Sequence, residues 1–383
     1  MIRNSLLVLG MLATVSAVCE DIETYFGDVG SVSEIDLGSV IRVDCPANDE
    51  GGPLEEILIA SGTSLTIKST QDFVRFVNVR FTVEEEATLV FDMPITRFGP
   101  NSGATEGGTE FMLEVSEGAS VTFMGKFRAS RITNIRSVFY NSGSIDFKGD
   151  SLFINNGNVF RSNVNGTLKF RGDAVFRNNF FLALDLVGAD SFVRFSKTAT
   201  FDNNAGSFNG ATGCAVANFE GRVIFRGDAY FANHICDEGS AVFNRGTMKF
   251  YGNVQFEDNT RQNEEGGAVQ NAGGTLLFKK AVQFNRNDAE IGGGLAVTGG
   301  EVTFQKAVKF DSNQADQTGG AFAVYNGGTL EFEKPEVVRQ ENNFIFDNPF
   351  VDEPVTGCSL AYVEEGATLI GFDVDDVCME VTV

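Results

Sequence analysis

One short phrase recurs along this chain of 383 residues. Residues 273–287 read GGTLLFKKAVQFNRN, and residues 300–313 read GEVTFQKAVKFDSN. Each copy opens with an apolar residue, a variable residue and Phe, and about eleven copies follow one another between residues 87 and 372. Self-similarity at intervals of about 25 residues predicts a solenoid in which each copy forms one coil. The phenylalanines expected at equivalent interior positions are Phe147, Phe170, Phe195, Phe225, Phe250, Phe278, Phe304 and Phe332.

A second motif, Phe-x-x-Asn, follows the first at a nearly fixed offset, and one copy (residues 231–234) has His234 in place of Asn. A third, Gly-rich motif ends in Ala-Val, as at Val269. Asn tolerates the left-handed backbone of a tight corner, and a column of Asn can pass amide hydrogen bonds from coil to coil. The asparagines predicted to form this ladder are Asn156, Asn179, Asn204, Asn259, Asn287 and Asn313.

The alternation of side chains within each motif indicates strands. Leu276 and Phe278 share one face, as do Val282 and Phe284, because side chains two apart in a strand point the same way. Three short strands in about 25 residues predict an all-β fold, a parallel β-helix of about eleven coils capped at both ends. A leucine-rich repeat and a left-handed β-helix fit less well, because the first needs Leu-rich segments and the second a six-residue period.

The ends of the chain differ from the repeat. Residues 1–17, MIRNSLLVLGMLATVSA, have the basic start, apolar run and small residues of a signal peptide. A buried N-terminal element and a lipoprotein anchored at Cys19 are the alternatives. We expect an N-terminal cap at 18–60, a β-helix at 61–372 with an insertion at 333–357, and a C-terminal cap at 373–383. The expected location is extracellular, and we predict no membrane span.

The predicted mature chain has six cysteines in three local groups. An even number in a secreted protein indicates disulfides rather than metal ligands. The simplest pairing is Cys19–Cys45, Cys214–Cys236 and Cys358–Cys378. One glycosylation sequon begins at Asn165.

Composition restricts the chemistry. The formal net charge is −23, from 29 Lys and Arg against 52 Asp and Glu, which argues against nucleic acid or an anionic membrane as a partner. With a single His we predict no metal site, no cofactor and no catalytic residue. Loop carboxylates at Asp258, Glu264, Glu265 and Asp288 could support at most weak calcium binding.

The two motifs in phase resemble the repeats of chlamydial polymorphic outer-membrane proteins across about residues 120–330. The chain is also similar to secreted β-helix proteins of the pectin-lyase-like superfamily. The resemblance implies a right-handed helix, a surface location and an adhesion-type role. It departs from the chlamydial proteins because we expect no autotransporter barrel, and the catalytic motifs of the pectin-lyase-like enzymes do not occur.

These observations predict a secreted, non-enzymatic structural or adhesin-like protein of the cell surface or extracellular matrix. The expected partner is an extracellular polysaccharide or a cell-surface protein. The alternative is a divergent polysaccharide lyase or hydrolase, which requires convergent carboxylates in a groove along the rod. The strongest carboxylate clusters, Glu84–Glu86 and Asp373 with Asp375 and Asp376, lie near the ends of the predicted helix.

Overall fold

The computed structural model describes residues 16–17, 33–38, 40, 42–44, 55–99, 111–133, 137–205, 215–236, 241–261, 265–334, 338–341, 343–345 and 361–371. The regular elements in these ranges are short strands, and every pairing between them is parallel to the equivalent strand of the next coil. This is a right-handed parallel β-solenoid with three strands per coil, so the predicted fold class is confirmed.

Sheet I contains the apolar-x-Phe motif. Its alternation places one face of each strand inside the coil, and Leu168 and Phe170 are buried while Lys169 points outward. Thirteen strands of sheet I lie in the described ranges. They are Glu34–Asp36, Ser64–Lys68, Thr88–Asp92, Ser120–Phe123, Ser144–Phe147, Thr167–Phe170, Phe192–Phe195, Arg222–Phe225, Thr247–Phe250, Thr275–Phe278, Glu301–Phe304, Thr329–Phe332 and Thr368–Ile370.

Sheet II follows sheet I after a tight turn and contains the Phe of Phe-x-x-Asn. Its described strands are Ser16–Ala17, Arg42–Asp44, Val74–Val77, Ile95–Phe98, Lys126–Ser130, Ser151–Ile154, Ala174–Arg177, Ala199–Asp202, Ala229–Ala232, Val254–Glu257, Val282–Asn285, Val308–Asp311 and Val338–Glu341.

Sheet III contains the Ala-Val motif and closes the coil. Its described strands are Glu55–Ile59, Val79–Val83, Phe111–Val115, Ser137–Asn141, Phe160–Ser162, Leu184–Leu186, Val216–Asn218, Val242–Asn244, Val269–Asn271, Leu295–Val297, Phe322–Val324 and Ala361–Val363. A shorter sheet IV joins the corner between sheets II and III in the later coils. Its described strands are Ile235–Cys236, Thr260–Arg261, Asp288–Ile291, Gln314–Thr318 and Phe344–Ile345.

The core is a continuous apolar column inside the three sheets. The sheet I phenylalanines stack in register, and the rings of Phe147 and Phe170 lie 5.0 Å apart and 1° from parallel. A second stack runs along sheet II, where Phe176 and Phe201 are 4.7 Å apart. The two stacks meet edge to face, as between Phe170 and Phe176 at 5.9 Å. Offset and edge-to-face contacts are the favoured geometries of aromatic pairs, so one residue type can fill the interior of successive coils.

The segments outside the predicted repeat also contribute strands where they are described. Strands Glu34–Asp36 and Glu55–Ile59, from the segment assigned to the N-terminal cap, pair in register with the following coil. Strand Val338–Glu341, from the predicted insertion, continues sheet II. Of the predicted signal peptide only Ser16–Ala17 is described, and the predicted C-terminal cap lies outside the described residues. The described part of the chain contains no helix with the length and apolarity that a bilayer crossing requires.

Candidate functional site

The corner after sheet II holds a ladder of buried amides. Each of the six asparagines predicted for it lies there at 0–1% exposure, and Asn343 extends the ladder. The side-chain amide of Asn259 donates to Oδ1 of Asn287 at 2.8 Å, and that of Asn287 donates to Oδ1 of Asn313 at 2.9 Å. Each amide also donates to a backbone carbonyl one coil back, as Asn287 does to Phe256 at 3.2 Å. The left-handed backbone of the corner lies one residue before most ladder positions, for example at Asn178 with φ 53°. The expectation that the ladder asparagines themselves adopt it was wrong, and their role is to pass amide hydrogen bonds between coils.

His234 occupies one position of this ladder and is completely buried. Its Nδ1 takes the place of an Asn oxygen, because it lies 3.2 Å from the backbone nitrogen of Asn204. The second ring nitrogen, Nε2, has no hydrogen bond of standard geometry among the described residues, and the backbone of Phe201, one coil back, interacts with the ring. Burial lowers the pKa of the imidazole to about 4, so the ring is neutral at pH 7.

A second amide ladder, at the end of sheet III, was missed by the sequence analysis. Asn218 donates to Oδ1 of Asn244 at 2.9 Å, and Asn244 donates to Oδ1 of Asn271 at 2.8 Å. The sequence signal for this ladder is an Asn two residues after the Val of the third motif, in AVAN, AVFN and AVQN. Glycine is required beside this ladder, since a Cβ on Gly274 would lie 2.4 Å from the Asn244 amide nitrogen.

The carboxylates considered for calcium do not converge. Asp258 accepts hydrogen bonds from Arg286 at 2.8 Å. Glu265 accepts one from Gln270 at 2.8 Å. Burial, followed by the charge of Asp316, raises the pKa of Asp288 to about 6. Glu264 lies outside the described residues, and within the described ranges no three His, Cys, Asp or Glu side chains form a group that could hold a metal ion.

The remaining sequence-predicted residues have these positions. Cys236 ends the strand Ile235–Cys236, while Cys19, Cys45, Cys214, Cys358 and Cys378 lie outside the described residues, so the disulfide pairing stays a prediction. Asn165 is exposed on a turn at φ 66° and donates to Glu117 at 2.8 Å. Of the two carboxylate clusters, Glu84–Glu86 form a surface turn in which Glu84 accepts from the Ser61 backbone at 2.9 Å, and the cluster at Asp373 is outside the described residues.

The outward face of sheet I carries a concentration of cations. The central row reads Asp146, Lys169, Arg194, Ile224 and Lys249 in successive coils. Neighbouring outward positions of the same coils add further basic residues. We call the following six side chains the cationic face: Lys169, Arg194, Arg222, Arg226, Lys249 and Lys279.

These six cations lack acidic partners among the described side chains. Within the described ranges none of the six is in an ion pair. The basic residue just outside the set, Arg171, differs because both its Nε and its NH2 group donate to Asp146 at 2.9 Å. Lys169 and Arg194 lie directly opposite each other in adjacent strands of sheet I, and like charges in that position destabilise a sheet unless anions neutralise them.

Aromatic rings on this face are covered by cations. The guanidinium carbon of Arg226 lies 4.6 Å from the ring centroid of Tyr251, and Nζ of Lys279 lies 4.9 Å from the same centroid. Arg222, in the same coil as Arg226, has its guanidinium carbon 6.0 Å from the ring centroid of Phe192 in the preceding coil. These cation–π contacts fix the direction of the charged groups. They also leave little free aromatic surface on the cationic face.

By fold the chain is a parallel β-solenoid with polar ladders inside two corners and a basic strip on an otherwise acidic molecule. Comparisons with protein-family models, with curated proteins and with solved structures each gave no match.

Proposed function

We propose that this protein is a secreted, non-enzymatic, adhesin-like β-helix that binds an acidic polysaccharide through its cationic face. The observation that carries the proposal is a set of six cations, in sheet I and in the turns directly after its strands, that form no ion pair with the described side chains of a chain whose net charge is −23. A surface shaped only by solubility would place carboxylates among them. An anionic partner supplies the missing counter-charges.

The range of electrostatic forces explains how an acidic protein can bind an anion. At physiological ionic strength the Debye length is about 8 Å, so carboxylates on the far side of the rod are screened from a ligand on sheet I. A ligand in contact with Arg194 and Lys249 therefore experiences the local positive charge. Binding of this kind releases counterions and weakens as salt rises.

The covered aromatic rings favour a saccharide over a nucleic acid. Proteins that bind single-stranded nucleic acid present open aromatic faces on which bases stack. On the cationic face, Tyr251 has a cation within 5 Å of its centroid from each neighbouring coil. A polysaccharide with a carboxylate or sulfate on each unit can bind the cations of this face and needs no aromatic ring for base stacking.

The extracellular location and the family remain part of the proposal. The signal peptide predicted at 1–17 supports secretion, and the in-phase motifs support a relationship to the pectin-lyase-like and chlamydial repeat proteins. The enzymatic alternative requires two carboxylates facing a bound sugar. Near the cationic face, Asp146 is occupied by Arg171 and Lys148, so the described geometry favours binding without cleavage.

Binding measurements with a matched charge reversal test the proposal. Full-length protein is titrated with a polyuronate, a sulfated dextran, unmodified dextran and single-stranded DNA at several salt concentrations. We expect binding to the acidic polysaccharides, none to unmodified dextran, and a loss of about fivefold to tenfold for Arg194→Glu. Arg128→Glu, the same change on exposed sheet II, is the control.

Three results would contradict the proposal. The first is equal weakening by Arg128→Glu, which would show that only net charge matters. The second is tighter binding of DNA than of either acidic polysaccharide. The third is the appearance of new reducing ends or unsaturated products during incubation, which would show an enzyme.

A further inference from the structure

The buried histidine lies in the coil that supplies the middle of the cationic face. Residues 222–226 provide Arg222 and Arg226 to that face, and the same coil continues through sheet II to His234. The ladder weakens at this position. A regular member, Asn259, is linked to both neighbouring coils, because its side-chain amide donates to Oδ1 of Asn287 and to the Phe231 carbonyl. The His234 ring contacts the preceding coil at the backbone of Asn204, through Nδ1, and at the backbone of Phe201. Its link to the following coil is the backbone N–H of His234, which donates to Oδ1 of Asn259.

The surroundings of His234 offer a positive charge little compensation. The carboxylate of Asp202, in the strand below, acts on the imidazole, but it is already paired with Arg177 at 2.9 Å. In the strand above, Glu257 and the adjacent Asp258 are paired with Arg286. Tyr230, on the sheet II strand before His234, is an exposed side chain. A protonated His234 would therefore be a buried cation without a free counter-ion, which is unstable.

Packing connects this corner to the ligand-binding surface. Phe231 lies three residues before His234, and its ring contacts Phe225 at 5.9 Å and Phe250 at 6.2 Å. Those two residues end sheet I strands whose next residues are Arg226 and Tyr251. Three packed rings therefore connect the His234 corner with the cationic face.

We propose that His234 is an acid-sensitive element, whose protonation loosens the coil between Asn204 and Asn259 and releases the ligand from the cationic face. This inference rests on the proposed function for its second half, the release of ligand. The first half, local opening in acid, is independent of any ligand.

The expected size follows from linkage. The pKa of His234 falls from 6.5 to about 4 on folding because burial disfavours the charged ring. A depressed histidine pKa means that the closed coil prefers the neutral form. Its stability is complete above pH 6.5 and is lost as the pH falls from 6.5 toward 4. At pH 5 the opening equilibrium should be about thirtyfold greater than at pH 7.5.

Hydrogen exchange with a conservative variant measures the first half. Exchange of the backbone amides of Asn204, His234 and Thr260, which lie in the hydrogen-bonded corner, is followed at pH 5 and pH 7.5 and corrected for intrinsic rates. We expect about thirtyfold more opening at pH 5 in the natural protein and no such increase in His234→Asn, which restores the ladder residue. The amide of Asn287, two ladder positions away, serves as the internal reference.

Binding of sulfated dextran at the same two pH values measures the second half. The sulfate groups keep their charge across this range, so a change in affinity reports on the protein. Weaker binding at pH 5 by the natural protein but not by His234→Asn supports release. An equal pH effect on the two proteins, in exchange or in binding, overturns the corresponding half. If neither protein binds at pH 7.5, the proposed function fails while the exchange result still decides the acid-sensitive element.

Discussion

Removing one amide from the corner ladder should cost far more than its small volume suggests. Asn287 is completely buried and its side chain makes four hydrogen bonds. Its Oδ1 accepts from the backbone N–H and the side-chain amide of Asn259, at 3.2 and 2.8 Å, and its Nδ2 donates to Asn313 and to the Phe256 carbonyl. The variant Asn287→Ala deletes all four and leaves the backbone contacts of the coil in place.

The magnitude depends on which groups lose their partner. The Asn259 side chain still donates to the Phe231 carbonyl, and Oδ1 of Asn313 still accepts from the backbone N–H of residue 287. Two interior groups lose a partner. The backbone N–H of Asn259 no longer has an acceptor, and the Phe256 carbonyl loses the hydrogen bond from Asn287. A buried polar group left without a partner costs about 1–3 kcal/mol, so we expect a total loss of about 2–5 kcal/mol.

Chemical denaturation measures this loss, and hydrogen exchange shows where it falls. A solenoid is stabilised mainly by contacts between neighbouring coils, so the faster exchange should be centred on coils 256–259 and 310–313. The control is Asn285→Ala, because Asn285 points outward from the same sheet II strand. A surface substitution changes stability by about 0.5 kcal/mol or less. If the two variants lose the same stability, the ladder does not stabilise the rod.

Three further changes test the core, the second ladder and one carboxylate. Phe278→Ala removes a fully buried ring that stacks at 4.9 and 4.8 Å on its neighbours. Chemical denaturation should show that the free energy of unfolding falls by about 3–5 kcal/mol. A fall of less than about 1 kcal/mol would refute the stacked core. Gly274→Ala forces a methyl group against the Asn244 amide and should lower the melting temperature, whereas an unchanged value would mean that the ladder moves freely. Asp288→Asn should stabilise the protein at pH 7.5 but not at pH 4. Folding raises the pKa of Asp288 from 3.8 to about 6, so ionisation of the carboxyl opposes folding only above pH 3.8. The side chain is partly exposed, so the gain should stay below about 1 kcal/mol, and an equal gain at both pH values would exclude this cause.

The fold could be predicted because interior positions repeat in phase. A residue such as Phe278 has to match Phe250 and Phe304 in the adjacent coils, so the sequence records the register directly. The Asn ladder could be predicted from the sequence for the same reason. The second ladder has an equally regular signal, which lies just beyond the third motif, as at Asn271 two residues after Val269.

The cationic face could not be predicted from net charge. A total of −23 describes the whole chain, whereas Lys169 and Lys249 occupy the variable position of the apolar-x-Phe motif in particular coils. Alternation alone places both side chains outward. What the sequence did not show is that neighbouring carboxylates such as Asp146 are committed to other partners, since that depends on how turns and strands align between coils.

The division between inside and outside also explains why the variable positions are the place to look for function. Interior positions of each coil are restricted to residues that continue a stack or a ladder, so they differ little from one coil to the next. Outward positions have no such restriction, and their charge can change without loss of the fold. With 52 acidic and 29 basic residues in the chain, unselected outward positions would carry more carboxylates than cations. On sheet I the opposite holds from Lys169 to Lys279, and carboxylates return with Glu301 and Glu331. Lys169 and Arg194 face each other directly in this part of sheet I, and facing like charges weaken a sheet, so these coils are where the proposed anionic partner should be tested.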